Sequence, residues 1–187
     1  MRWSRYAAKY AAAAVLCSSV ESEVSRHAIA MRSYDIVIRP ARLEDAPRLH
    51  ELHTASVRVL CSSDYSAQII EAWLLNRTPA GYLDPIERGA LFIAERGGRV
   101  VGFGEAAAGT VIAIYVDPED VRQGVGTAIL RHAVRMARRE HNGTVRLEAT
   151  LNARDFYERA GFREVKRSTV KRNHVDVPVV VMEYDAG

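Results

Sequence analysis

Val111-Ile-Ala-Ile-Tyr-Val-Asp-Pro-Glu-Asp-Val-Arg-Gln-Gly-Val-Gly-Thr-Ala-Ile-Leu130 runs from an apolar β-type segment through a short turn into Gly124-x-Gly126 and an amphipathic helix. The first turn of a helix carries backbone N–H groups without intrahelical partners, and the macrodipole adds partial positive charge there. Such an end is a ready site for phosphate. Gly124 and Gly126 lack Cβ atoms, so the loop can curl and a pyrophosphate can approach the amides of Gln123 to Thr127 closely.

Other phosphate motifs fit poorly. A nucleoside-triphosphate loop needs Lys-Ser/Thr after its last glycine, which Gly126 lacks, and a dinucleotide fingerprint needs a third glycine at 129, which is Ile. Downstream comes a second apolar run, Thr144–Thr150, and then Asn152-Ala-Arg-Asp-Phe-Tyr157-Glu-Arg-Ala-Gly161-Phe162.

With both segments in view, the sequence resembles the GNAT superfamily, the Gcn5-related N-acetyltransferases that use acetyl-CoA. The family's pyrophosphate motif, Gln/Arg-x-x-Gly-x-Gly/Ala, falls on Val121-Arg122-Gln123-Gly124-Val125-Gly126, with Val121 a departure at its first position. The Asn…Phe-Tyr-x-x-x-Gly-Phe signature falls on Asn152 to Phe162, and the resemblance extends over roughly 36–184. It implies an α/β GNAT fold whose mixed central sheet splays two parallel strands, about 110–116 and 144–150, to admit a pantetheine arm.

Site roles follow from the resemblance. Backbone groups near Ile114 and Val116 would pair with the arm; Arg122, Gln123, Gly124, Val125, Gly126 and Thr127 would hold the pyrophosphate; Asn152 would bond the arm. Asn152 also suits the N-cap of the helix that follows. Tyr157 occupies the position of the family's general acid. A free phenol titrates near 10 and a thiol near 8.5, so proton transfer to the leaving sulfur is uphill by about 2 kcal/mol in water, and a hydrogen bond to sulfur is the safer role. Gly161 reads as a helix-ending C′ residue and Phe162 as the start of the next strand.

The general base is less legible. Thr110 stands where histone-type members carry a catalytic glutamate. Glu105 shares strand parity with Val101 and Phe103, and burial on their side would raise its pKa, which makes it a candidate base beside Tyr157. Glu148 reads as a residue paired with a neighbour. The segments around 57–88 and 167–178 are expected to shape the acceptor pocket through Asp64, Tyr65, Trp73, Tyr82, His174 and Asp176.

Composition bounds the rest. The 187 residues, 48% of them hydrophobic, suffice for one domain with a sizeable core. Residues 31–187 hold 22 Lys/Arg against 21 Asp/Glu, so the excess positive charge lies mostly in the first thirty and argues for no nucleic-acid partner. Arg131, Arg135 and Arg138 share one face of the helix after the glycine loop, either a solvated face or one that steers an anionic cofactor. Cys17 and Cys61 are far apart, and the six histidines, His50 and His53 included, have no companions at ligand spacing, so neither a disulfide framework nor a metal is expected.

Residues 1–33 are set apart from a GNAT domain at 34–187. Arg2, Arg5 and Lys9 precede a mild apolar run, and Ala28-x-Ala30 precedes Met31, which outlines a targeting segment. The run is too short to span a membrane, and a start-site extension or a loosely packed helix is preferred, with a cytoplasmic protein expected. Further strands are expected at 36–38, 90–94, 99–103, 162–170 and 177–184. Helices are expected after 43 and from about 66 to 73.

The reading is therefore a single-domain N-acetyltransferase passing acetyl from acetyl-CoA to a primary amine of a small molecule or peptide by direct attack. Two alternatives stay open: a catalytically weak acyl-CoA-binding or regulatory module, and a protein lysine or N-terminal acetyltransferase. A homodimer is equally open.

Overall fold

The computed structural model of the chain describes residues 35–185. The expectations for residues 1–33 lie outside the described residues. Strand β1, Val37–Pro40, is followed by a 3-10 turn at Leu43–Asp45 and helix α1, Ala46–Leu60. Helix α2, Ala67–Leu74, is N-capped by Ser66, whose hydroxyl accepts from the Ile69 amide. A 3-10 turn at Pro79–Tyr82 and the short helix α3, Leu83–Glu87, lead into strands β2, Leu91–Arg96, β3, Arg99–Ala107, and β4, Thr110–Val116. Helix α4, Val125–Ala137, strand β5, Val145–Ala149, helix α5, Arg154–Arg159, and the hairpin β6, Arg163–Arg172, with β7, Val175–Tyr184, complete the order.

The seven strands form one sheet in the order β1-β2-β3-β4-β5-β7-β6, in which β4 and β5 are the parallel pair. Two layers of side chains cover it. On one face α4 turns Val125, Ile129, Leu130, Ala133 and Ala137 inward onto Phe92, Val101, Leu147 and Met182. On the other, Leu49 and Leu52 of α1 meet Leu91, Ile93, Phe103 and Tyr82. A Cβ on Gly102 or Gly104 would lie 2.7 or 2.8 Å from Ile129, so bare backbone on β3 is what lets α4 sit this close.

Most expected elements are present, with shifted ends. Leu43, read as the first residue of the helical stripe, lies in the 3-10 turn and is 52% exposed, because the helix proper begins only at Ala46, with Pro47 in its first turn. The turns at 79–87 were not anticipated, since Pro79, Gly81 and Pro85 break any periodicity there. Gly97 and Gly98 both take positive φ, 57° and 77°, the turn that joins β2 to β3 as a two-residue hairpin. Gly161, at φ 93°, ends α5 as a C′ residue, and Phe162 beyond it is buried against Tyr157.

Candidate active site

The parallel pair β4/β5 is joined over two register positions, Thr110↔Arg146 and Val111↔Leu147, and then opens. Beyond that point β4 stays paired with β3 as far as Val116, and β5 stays paired with β7 as far as Ala149. The strands part because β4 carries an extra residue. Glu105 and Ala106 of β3 face Ala113 and Val111, which leaves Ile112 as a bulge that bends β4 at the last closed rung. The result is a cleft of about 510 Å3, lined by 111–116 on one wall and by Leu147, Glu148 and Thr150 on the other. Its facing edges present backbone groups that no strand among the described residues satisfies, the geometry that receives an extended ligand as an added strand.

At one mouth of the cleft lies the glycine turn. Arg122 and Gly124 take φ of 61° and 84°, and Gly124 is the N-cap of α4 without a capping side chain. The Ala128 amide is bonded to the Gly124 carbonyl, so the amides before it are those a helix leaves without an intrahelical partner. Among the described residues, no carboxylate or hydroxyl caps this end. A helix end of this kind is suited to an anion.

An ion-pair lattice absent from the sequence reading holds the turn. Asp117 and Asp120, both buried, flank the turn that leaves β4. Arg48 of α1 reaches Asp117 at 2.6 Å, and Arg99 bridges Asp117 at 3.3 Å and Asp120 at 2.5 Å. Arg96 joins Asp120 at 3.1 Å to the Gln123 side chain and its carbonyl at 3.0 Å. The Gln123 amide nitrogen in turn donates to the Glu119 carbonyl at 2.9 Å. Gln123 thus ties down its own loop.

Several residues marked in the sequence meet here. Ile114, Val116, Arg122, Gly124, Gly126, Thr127, Asn152 and Tyr157 all line the cleft. Gln123 and Val125 do not: the first is held by Arg96, and the second is buried in the core, so only backbone groups of either remain for a ligand. Asn152 is exposed on the cleft wall and is not a cap. It lies inside a 3-10 turn, Leu151–Ala153, and the N-cap of α5 is Ala153.

Tyr157 is buried between Phe156 and Phe162, with ring centroids 5.0 and 5.8 Å away. Burial, with a smaller push from Tyr115, drives its phenol well above the ordinary range. It stays protonated at any working pH and so keeps an O–H to donate. Its hydroxyl has no hydrogen-bond partner among the described residues and is not sealed from solvent.

Glu105 is not brought to the cleft. Sharing the parity of Phe103, it faces the α1–α3 side, where burial raises its pKa, Arg88 lowers it and Asp84 raises it. The acidic residue lining the cleft is Glu148, exposed and without an ion-pair partner among the described residues, contrary to the expected pairing. The pairing expected from sequence fails because nothing in the sequence reveals that the strand beside Glu148 has bent away. Thr110 sits in the closed rung, facing Arg146.

The far end of the cleft is formed by Ser56, Leu60 and Cys61 of α1 and its C-cap, Trp73, Tyr115, Val170 and Arg172. Of the six residues expected to shape the acceptor pocket, Trp73 alone lines it. The Asp64 carboxylate accepts from the Ser63 hydroxyl, and Asp176 is paired with Lys171 at 2.9 Å. His174 occupies the β6–β7 turn at φ 68°, and Tyr82 bonds His53 Nδ1 at 2.9 Å. Tyr65 is a brace: its hydroxyl donates to the Pro178 carbonyl at 2.7 Å and accepts from the Leu151 amide at 2.9 Å. Burial pushes the Cys61 thiol up to about 11, which leaves it a poor nucleophile at neutral pH.

A second groove, of about 630 Å3, continues from Thr127, Phe156 and Arg159 along α4, with Arg131, Arg135 and Tyr184 on its walls. It lacks the open strand edges and the phenol. Arg138 does not line it.

Comparison with known proteins agrees with this geometry. Residues 61–185 match the family model described as an acetyltransferase (GNAT) domain. The chain belongs to the GNAT superfamily and is an N-acetyltransferase by family. A relative from Escherichia coli strain K12, the uncharacterized N-acetyltransferase YafP, is 26% identical over 137 residues, 73% of this chain and 87% of that protein. Among solved structures, a GCN5-related N-acetyltransferase from Rhodopseudomonas palustris, also described as "Aminotransferase, Class-II", superposes with a TM-score of 0.70. It is 25% identical, over 80% of this chain and 95% of that one. The PaiA N-acetyltransferase of Thermoplasma acidophilum, solved with coenzyme A, shares the fold at a TM-score of 0.66. It is 21% identical, over 81% and 99% of the two chains.

Proposed function

We propose that the chain transfers the acetyl group of acetyl-CoA to a primary amine of a small molecule by direct attack while both substrates are bound. The observation that carries this reading is the coincidence, in one cleft, of two unsatisfied strand edges, an uncapped helix N-terminus and a buried, protonated phenol. These suit in turn a peptide-like pantetheine arm, a pyrophosphate and a leaving thiolate. The relative solved with coenzyme A supports the choice of donor.

Acetyl-CoA supplies an activated acyl group. Amides along 114–116 offer hydrogen bonds to the arm and to the charge that gathers on the carbonyl oxygen. Asn152 offers a side-chain amide to the same arm, and Arg122 a cation to the pyrophosphate. The adjoining groove, with Arg131, Arg135 and Arg159, suits the nucleotide end of the donor.

As the amine nitrogen bonds to the acetyl carbon and the C–S bond breaks, one proton must leave nitrogen and negative charge appears on sulfur. Tyr157 donates a hydrogen bond to that sulfur. Glu148 is assigned the nitrogen's proton, since it is the acidic side chain on the cleft wall. The raised thiol of Cys61 speaks against a covalent acetyl-cysteine route. The reading is tested by following thiol release from acetyl-CoA across a panel of amines. Glu148→Gln is expected to lower kcat about 100-fold while leaving acetyl-CoA affinity unchanged, the scale of a lost general base. Absence of thiol release with every amine, despite cofactor binding, would move the protein to the acyl-CoA-binding class.

A further inference from the structure

The acceptor end of the cleft is short of hydrogen-bond acceptors. Trp73 is 5% exposed, and its Nε1–H is buried with no partner among the described residues. Arg172 Nε is buried and unpartnered in the same way. The Arg172 guanidinium enters no ion pair among the described residues; Nη1 donates to the Lys171 carbonyl at 3.2 Å, and Nη2 makes no hydrogen bond there.

The two residues are held together by Asn173, next to Arg172, whose amide nitrogen donates to the carbonyls of Ala72 and Leu75 at 2.7 and 2.9 Å. Those carbonyls flank Trp73. Around them stand Leu60, Tyr115, Val170 and Val179, and the nearest acidic side chain on the cleft wall is Glu148, at the splay. The positive charge of Arg172 is felt at His53, whose pKa it lowers along with burial and Arg77.

A buried donor without a partner is destabilising, and a cation lining an apolar cavity without a counter-ion among the described residues adds to the imbalance. A ligand that brings a carboxylate removes both. We propose that the acceptor is an amine that also carries a carboxylate on an apolar frame, an amino-acid-type zwitterion, with its carboxylate on Arg172 and the Trp73 indole and its amine toward Glu148. This rests on the acetyltransferase reading above and narrows its substrate class. A polyamine or a lysine-rich peptide would place a second cation against Arg172, which the same electrostatics disfavours.

The test compares each of the apolar and aromatic amino acids with its own amide as acceptor, alongside spermidine and a lysine peptide, by thiol release. The free acid is expected to exceed its amide about 30-fold in kcat/KM, because a site built around buried donors rejects the analogue that lacks their acceptor. Arg172→Gln should bring acid and amide to within about 3-fold of each other, and Trp73→Phe should narrow the gap by part of that amount. Equal or better use of the amides, of spermidine or of the peptide overturns the proposal. So does an Arg172→Gln variant that lowers acid and amide alike.

A second arm does not depend on turnover. Calorimetry on the CoA-loaded protein compares N-acetyl-L-phenylalanine with N-acetyl-L-phenylalaninamide. Tighter binding of the acid, lost in Arg172→Gln, supports the carboxylate site even if no amine releases thiol, an outcome that would instead remove the acetyltransferase reading. Equal binding of the two overturns the carboxylate site.

Discussion

At the scale of single residues, the assignments separate by what each side chain already does inside the protein. Tyr157 bonds to nothing among the described residues through its hydroxyl, so Tyr157→Phe should cost little stability. We expect kcat to fall about 100-fold, the value of one donor aimed at developing charge, with acetyl-CoA affinity and unfolding temperature unchanged. Equal turnover in the variant would remove the residue from the chemistry. Gly126 gives a cleaner separation. A Cβ there meets the Phe156 ring at 3.4 Å, an ordinary contact, and its φ is not positive, so nothing in the fold requires glycine. Gly126→Ala should therefore stabilise α4 by roughly 0.5–1 kcal/mol while weakening acetyl-CoA binding at least about 10-fold, because the new methyl stands where phosphate must approach. Thermal unfolding and cofactor titration on the same sample read both signs.

At the scale of elements, the glycine turn is only as good as its support. Asp120 is 4% exposed and takes charge from both Arg96 and Arg99. Asp120→Asn leaves those guanidiniums facing a neutral amide and releases the arm that holds Gln123. Losing one partner from a buried pair typically costs about 3–5 kcal/mol, discounted here because Arg99 is 49% exposed, so about 2–3 kcal/mol is expected in denaturant unfolding. Acetyl-CoA affinity should fall with it, as the turn loosens. The glycine motif and the following amphipathic helix were legible in sequence because they are local. The supporting carboxylates were not, because Arg48, Arg96 and Arg99 come from a helix and a hairpin that only the folded sheet brings beside Asp117 and Asp120. Glu148 reads as paired in the sequence for a related reason: alternation assigns its face, but the Ile112 bulge opens the strand beside it.

At the scale of the whole molecule, His53 couples the fold to pH. It is 2% exposed, stacked on Tyr115 at 3.9 Å and bonded to Tyr82, and burial with the charges of Arg77, His50 and Arg172 pushes its pKa down to about 2. The unfolded chain takes up a proton near pH 6.5 that the folded chain refuses, so folding stability is full above that pH and falls as pH drops below it. Between pH 7 and pH 5 the loss should be about 2 kcal/mol, measured by urea unfolding at each pH. His53→Phe keeps the stack and should flatten this slope. A smaller residue of the same sign belongs to His132, whose pKa is also depressed by burial.

By itself the sequence determined most of the order of elements, the α/β class, the glycine turn and the family, since each rests on periodicity or on a short motif whose geometry is local. The tertiary structure decided what lies on the cleft wall. It turned Glu105 toward α3, opened Glu148 to the cleft, made Tyr65 a brace and set Trp73 and Arg172 at the far end of the cleft. The Trp73 Nε1 and Arg172 Nε atoms are without partners among the described residues, and these outcomes depend on where one strand bends and which distant side chains then meet, which no spacing along the chain encodes.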